Sequence, residues 1–172
     1  SKYLKPSQWV NYGLWLAMLF LLSQRLPSWI ANYRVEGKLV PSFSVLSSTG
    51  DWQSLPLSKK RQIIVFWATW CKPCEIELDR FSRAVKDQEF SYDSIIAVSV
   101  GEDPAVVFAE AKSRGYTFTV FADPQANSAR SLDIQGTPQV YHIDDRDRVA
   151  YASMGLSPLS IFRARRFLNS AP

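Results

Sequence analysis

At 172 residues, 47% hydrophobic and 13% aromatic, the chain is long enough for one packed domain with a short appendage and too apolar for a disordered one. Its net charge of +4 does not mark a nucleic-acid face, because Lys2, Lys5, Arg25 and Arg34 carry the whole surplus and the 16 basic and 16 acidic residues from Val35 onward cancel. Two cysteines and one histidine are too few for a disulfide scaffold or a four-ligand structural zinc site, so no metal is expected.

The most apolar region is WVNYGLWLAMLFLLSQRLPSWI, Trp9 to Ile30. Its uninterrupted core, Leu14 to Leu22, is nine residues long, which fits the apolar stretch of a signal peptide with Lys2 and Lys5 before it. No small-x-small cleavage site follows, since Ser23-Gln24-Arg25 is polar and Trp29 is bulky. Taken whole, the 22 residues reach about 33 Å as a helix. Arg25 can snorkel to the headgroups, and tryptophans favour membrane interfaces. The expectation is an uncleaved signal anchor over residues 1–34, preferred to a cleaved signal peptide or a buried helix. Flanking charge does not set its orientation.

Val35 to Ser42 reads as a linker into a domain over residues 35–172. SFSVLSSTG, Ser42 to Gly50, predicts an edge strand or hairpin, and RQIIVFWA, Arg61 to Ala68, a buried strand. From Lys72 to about Gln88 the apolar residues Ile76, Leu78, Phe81, Ala84 and Val85 recur near helical spacing. Ser94 to Val100 is a second buried strand. Pro104 to Arg114 is a helix with proline at its start and Gly115 just past its end. Thr117 to Phe121 predicts a strand and Pro124 to Leu132 a short helix. Pro138 to Asp144 and Arg148 to Met154 predict a hairpin, and Pro158 to Leu168 a terminal helix. Arg163, Arg165 and Arg166 on that helix read as a solvated face. Strands alternating with helices imply an α/β fold with a mostly parallel central sheet covered on both faces and closed by an antiparallel hairpin.

The only cysteines, Cys71 and Cys74, fall just past the first buried strand and open the next helix. Ligands in such sheets sit beyond the carboxyl ends of the strands. A helix N-terminus and the adjacent Lys72 would lower the pKa of Cys71, and the spacing lets Cys74 reach back to it. Cys71, the more N-terminal, is expected to attack and Cys74 to resolve. Two structural cysteines are the bland alternative.

The segment FWATWCKPC, Phe66 to Cys74, resembles the active-site segment of thioredoxin-fold proteins, and Gly136-Thr137-Pro138 resembles the family's cis-proline loop. Val40-Pro41-Ser42-Phe43 and the 64 positions between Cys74 and Pro138 narrow the resemblance to the membrane-anchored TlpA and ResA type, over roughly Leu39 to Leu168. That resemblance implies a thioredoxin-like mixed sheet flanked by helices behind an N-terminal membrane-anchor helix. It implies a redox-active Cys71–Cys74 disulfide with no other cofactor, and a substrate surface at Trp70, Thr137 and Pro138. It also implies a catalytic role for Glu77, three residues after the second cysteine, where a buried carboxylate would take the proton of Cys74; a solvent-facing helix glutamate is the alternative. Val65 stands where thioredoxin has a buried aspartate, Asp79 where a proline is common, and Asp144-Asp145-Arg146-Asp147 lacks the usual glycine. His142 reads as a packed or edge histidine. Copper-delivering relatives use CxxxC plus histidine, and peroxiredoxins a threonine where Ala68 stands.

Pro73 before the second cysteine, as in thioredoxin at about −270 mV, points toward a reductant. The expected activity is that of a protein-disulfide reductase, a thiol–disulfide oxidoreductase held single-pass in the bacterial inner (cytoplasmic) membrane and facing the periplasm. Its partners would be disulfide-containing proteins such as apocytochrome c and a transmembrane thiol electron donor, with no nucleic acid. The alternatives are a partner-binding thioredoxin-fold module with a secondary redox role, a thiol oxidant, or a copper-handling protein.

Overall fold

The structure is a computed structural model that describes residues 10–21, 23, 35–57 and 59–170. The chain divides into two units, Ser1–Arg34 and Val35–Pro172. In the first, residues 10–21 form a helix, α1. Lys2, Lys5, Trp9, Arg25, Trp29 and the rest of the expected anchor lie outside the described residues, and no described helix is long and apolar enough to cross a membrane.

In the second unit the elements are β1 (Phe43–Leu46), β2 (Trp52–Leu55), β3 (Gln62–Trp67), α2 (Lys72–Lys86), a 3-10 turn at Tyr92–Ser94, β4 (Ile95–Val100), α3 (Pro104–Arg114), β5 (Thr119–Asp123), α4 (Asn127–Leu132), β6 (Gln139–Ile143), β7 (Val149–Met154) and α5 (Ser160–Asn169). They build one seven-stranded sheet in the order β2-β1-β5-β4-β3-β6-β7. Only β3–β4 and β4–β5 are parallel, so the sheet is more antiparallel than the alternation of strands and helices suggests. The hairpin expectation after Ser42 is met, with β2 as its second arm.

β3 lies at the centre and every one of its residues is buried. Ile63, Val65 and Trp67 point to one core with Leu78 and Phe81 of α2, Val107 of α3 and Ala164 of α5. Ile64 and Phe66 point to the other with Phe43, Val45, Tyr141 and Leu132 of α4. The period-2 alternation of a strand thus feeds two apolar layers, which explains a continuous rather than alternating sequence run.

Two departures from expectation have local causes. β5 starts at Thr119 rather than Thr117 because the Thr117 hydroxyl bonds the Ser82 carbonyl at 3.0 Å, holding that residue against α2. The glycine-free turn before β7 closes because Asp144 Oδ1 accepts from the N–H of Arg146 (2.9 Å) and of Arg148 (2.8 Å), while Asp147 takes the left-handed φ of 57°.

Candidate active site

β3 ends at Trp67, and four residues later Cys71 caps α2 with an extended backbone (φ −88°, ψ 98°). Its carbonyl accepts the N–H of Cys74 at 3.0 Å and of Glu75 at 3.2 Å, and its Sγ also receives the Cys74 N–H at 3.3 Å. Pro73 sits in the first turn, where a missing N–H costs no helical bond. Cys71 and Cys74 are joined as a disulfide across a Cα separation of 5.2 Å. Cys71 retains 4% exposure and Cys74 none, so both are buried and Cys71 is marginally the more open. Trp70, just before them, is 75% exposed.

The neighbouring cation differs from expectation. Lys72 Nζ pairs with Glu75 Oε1 at 2.8 Å, and Arg114 holds the other oxygen at 2.7 Å. The Lys72 bond, then Arg114, keeps the Glu75 carboxyl below the usual range. Lys72 is thus partly neutralised, and the thiolate-favouring field at Cys71 rests mainly on the helix N-terminus.

Glu77 is completely buried and stands three residues after Cys74, on the same face of α2. Neither carboxylate oxygen makes a regular hydrogen bond. Arg80 stands 3.6 Å away and bonds the Ser157 carbonyl at 3.1 Å, and the Ser160 hydroxyl at the start of α5 is itself buried and unpaired. Burial pushes the Glu77 pKa up, against the smaller opposing pull of Ser160, Arg80 and the Ser157 backbone. It is therefore not a solvent-facing glutamate.

The antiparallel ladder pairs Phe66 with Gln139, so Pro138 lies beside the end of β3, next to the loop that carries Cys71. The Thr137–Pro138 bond is cis, and the Pro138 carbonyl accepts the Gly155 N–H at 2.7 Å. His142 is buried farther along β6 and does not join this group.

One residue of the site escaped the sequence reading. Glu102, just past β4, accepts from the Thr69 N–H at 2.9 Å, the Thr69 hydroxyl at 2.6 Å and the Ser99 hydroxyl. It ties down the loop two residues before Cys71. Its only sequence signal is position: an acid at the carboxyl end of a strand parallel to β3, where ligands and loops converge.

Residues 37–152 match the AhpC/TSA family. The chain belongs to the AhpC/TSA family. Among its curated relatives are the thioredoxin-like protein YneN of Bacillus subtilis, 27% identical over 64% of this chain and 66% of that protein, and the thiol-disulfide oxidoreductase ResA of Geobacillus kaustophilus, 28% identical over 66% of each chain. The match spans just under two thirds of the length of these two family relatives. Among solved structures, StoA from Bacillus subtilis superposes with a TM-score of 0.63 at 19% identity, covering 75% of this chain and 97% of that one. The domain of this AhpC/TSA family member therefore has the thioredoxin-like fold, a mixed sheet flanked by helices.

Proposed function

We propose that the protein is a thiol–disulfide oxidoreductase that reduces disulfides of partner proteins outside the cytoplasm. The observation that carries this reading is the Cys71–Cys74 pair at the N-terminus of α2, with buried Glu77 one turn behind it. The relatives' printed names, thiol-disulfide oxidoreductase among them, support the same chemistry.

In the reduced protein the Cys71 thiolate attacks one sulfur of a partner disulfide, and the other partner sulfur leaves as a thiolate. The partner is then joined to Cys71 through a mixed disulfide. Cys74 passes its proton to the Glu77 carboxylate and attacks Cys71 Sγ, releasing the second partner thiolate. Two electrons have moved to the partner, and the Cys71–Cys74 disulfide is re-formed. An external dithiol must reduce it again; a transmembrane thiol carrier is the donor proposed. Trp70, just before Cys71, and Thr137 and Pro138, beside the end of β3, are proposed to form the surface on which the partner chain rests. Apocytochrome c is one such partner, and the N-terminal segment is proposed to hold the domain at the periplasmic face of the inner membrane.

The test is the reduction potential of the Cys71–Cys74 pair in the full chain, equilibrated with dithiol buffers and read by thiol alkylation. A value at or below about −220 mV is expected of a reductant, and one above about −150 mV would make the protein an oxidant or isomerase.

A further inference from the structure

Helix α5 and the β6–β7 hairpin border an open cavity of about 290 Å³, lined by His142, Tyr151, Arg163, Arg166, Phe167 and Ser170. It lies away from the redox pair, since β6 begins beside the Cys71 loop and His142 follows Pro138 by four residues, about 13 Å of strand. His142 is its innermost wall, with 2% exposure. Neither ring nitrogen makes a regular hydrogen bond, although the Tyr151 backbone lies close enough to act on the ring. The rings of Tyr151 and Phe167 meet the imidazole edge-on, with centroids at 5.4 and 5.3 Å. An unpaired buried polar group is costly, so one that borders a cavity asks what pairs with it there.

The charges at this cavity have one sign. The Arg163 guanidinium lies 4.7 Å over the Tyr151 ring and donates to the Tyr151 hydroxyl. Arg166 is exposed and its side chain has no ion pair or hydrogen bond among the described residues. Arg61 stands 5.6 Å over the other side of the aromatic wall at Phe167 and bonds the Phe167 and Ser170 carbonyls. Among the described residues no carboxylate lines the cavity; Glu36, which the Tyr151 phenol feels, accepts from the Ala152 N–H at 3.5 Å. Arg165, between the two lining arginines in sequence, turns away to Glu89.

We propose that this cavity binds a small organic carboxylate whose apolar body carries one hydroxyl or carbonyl. The carboxylate sits on the guanidinium groups of Arg166 and Arg163, whose forked donors match it. The body packs against Tyr151 and Phe167, and its polar group meets the unpaired nitrogen of His142. A bare inorganic anion would leave the aromatic wall uncovered, and an organic cation would meet two arginines. The volume, at the low end for ligand pockets, admits a single ring.

His142 is the chain's only histidine, so its ring gives one resolved NMR signal. The test titrates 4-hydroxyphenylacetate into the disulfide-bonded full chain while following that signal. Saturable shifts with millimolar or tighter affinity are expected. Arg166→Gln, an exposed change, should weaken binding by about tenfold, the worth of one charged contact. His142→Phe, whose binding is read by calorimetry because the reporting ring is gone, should weaken 4-hydroxyphenylacetate and leave phenylacetate unchanged. No shift at 10 mM ligand, equal binding of tyramine or of inorganic phosphate, or indifference to Arg166→Gln would each overturn the proposal.

Discussion

Glu77 and His142 are both ionisable, both buried and both without a regular hydrogen bond, yet they stand at opposite ends of the region that α5 covers. The same desolvation drives each toward its neutral form, raising the acid's pKa and lowering the base's to about 4. What differs is the company. Glu77 has the Cys74 sulfur one turn away, a thiol once the pair is reduced, with a cation at 3.6 Å and a hydroxyl facing it, so under the proposed mechanism its proton has a source and its charge some support. His142 has aromatic rings and a cavity. Burial alone therefore does not make a proton-transfer residue; a neighbour able to exchange a proton does.

The largest effect should come from removing the chemistry at one end only. Cys71→Ser is expected to abolish disulfide exchange while leaving the acid stability set by His142 unchanged, as measured by insulin reduction and by urea unfolding. Cys74→Ser should instead trap mixed disulfides with partners, visible as reducible adducts on a gel.

Next in size is the histidine itself. Its folded pKa of about 4 lies below the ordinary 6.5, so the unfolded chain binds the extra proton first. The stability contributed by His142 should be full above pH 6.5 and fall as pH drops from there through 4, by roughly 3 kcal/mol in total. His142→Phe, which keeps an aromatic ring, should remove this slope in urea titrations between pH 7 and 4. An unchanged slope would assign the acid sensitivity elsewhere.

Glu77 runs the other way. Its folded pKa is raised, so stability is lost as pH climbs from the unfolded value through the folded one. Glu77→Gln should therefore be more stable than the parent at pH 7, yet resolve mixed disulfides more slowly, by about a hundredfold if Glu77 is the base. A variant that is stabilised and equally fast would reduce Glu77 to a packing residue and break the contrast with His142.

The smallest expected change is Glu102→Gln, which weakens the charged anchor of Thr69 by about 1.5 kcal/mol. It should shift the Cys71–Cys74 potential, a readout that a merely structural loop anchor distant from the sulfurs would not move.

How much of this was written in the chain follows the range of each interaction. Cys71 and Cys74 stand three residues apart at a strand-to-helix junction, so they were legible from spacing, whereas Glu77 was singled out only by resemblance and its burial was not written in the helix itself. Pro138 was legible only by resemblance, because nothing local predicts that β6 runs beside β3. The Glu102 clamp joins residues 33 apart, and no periodicity announces it. The same holds for Ser160 facing Glu77 and for Phe167 covering His142: both depend on where α5 lands. The arginines of α5 looked alike in sequence and proved unlike once each found its own neighbour, Tyr151 for Arg163 and Glu89 for Arg165.

The β3–β6 ladder fixes which lengths of chain the molecule can tolerate. Phe66 faces Gln139 and Ile63 faces His142. One residue inserted just after Pro138 would either turn Val140 and His142 toward the layer now filled by Tyr141 and Ile143 or, if those keep their pairing, carry the proline out of place beside the Cys71 loop. One inserted among Asp145, Arg146 and Asp147, at the hairpin tip, would disturb neither. Evolution and protein engineers alike should find the tip editable and the five residues of β6 closed to any change in count.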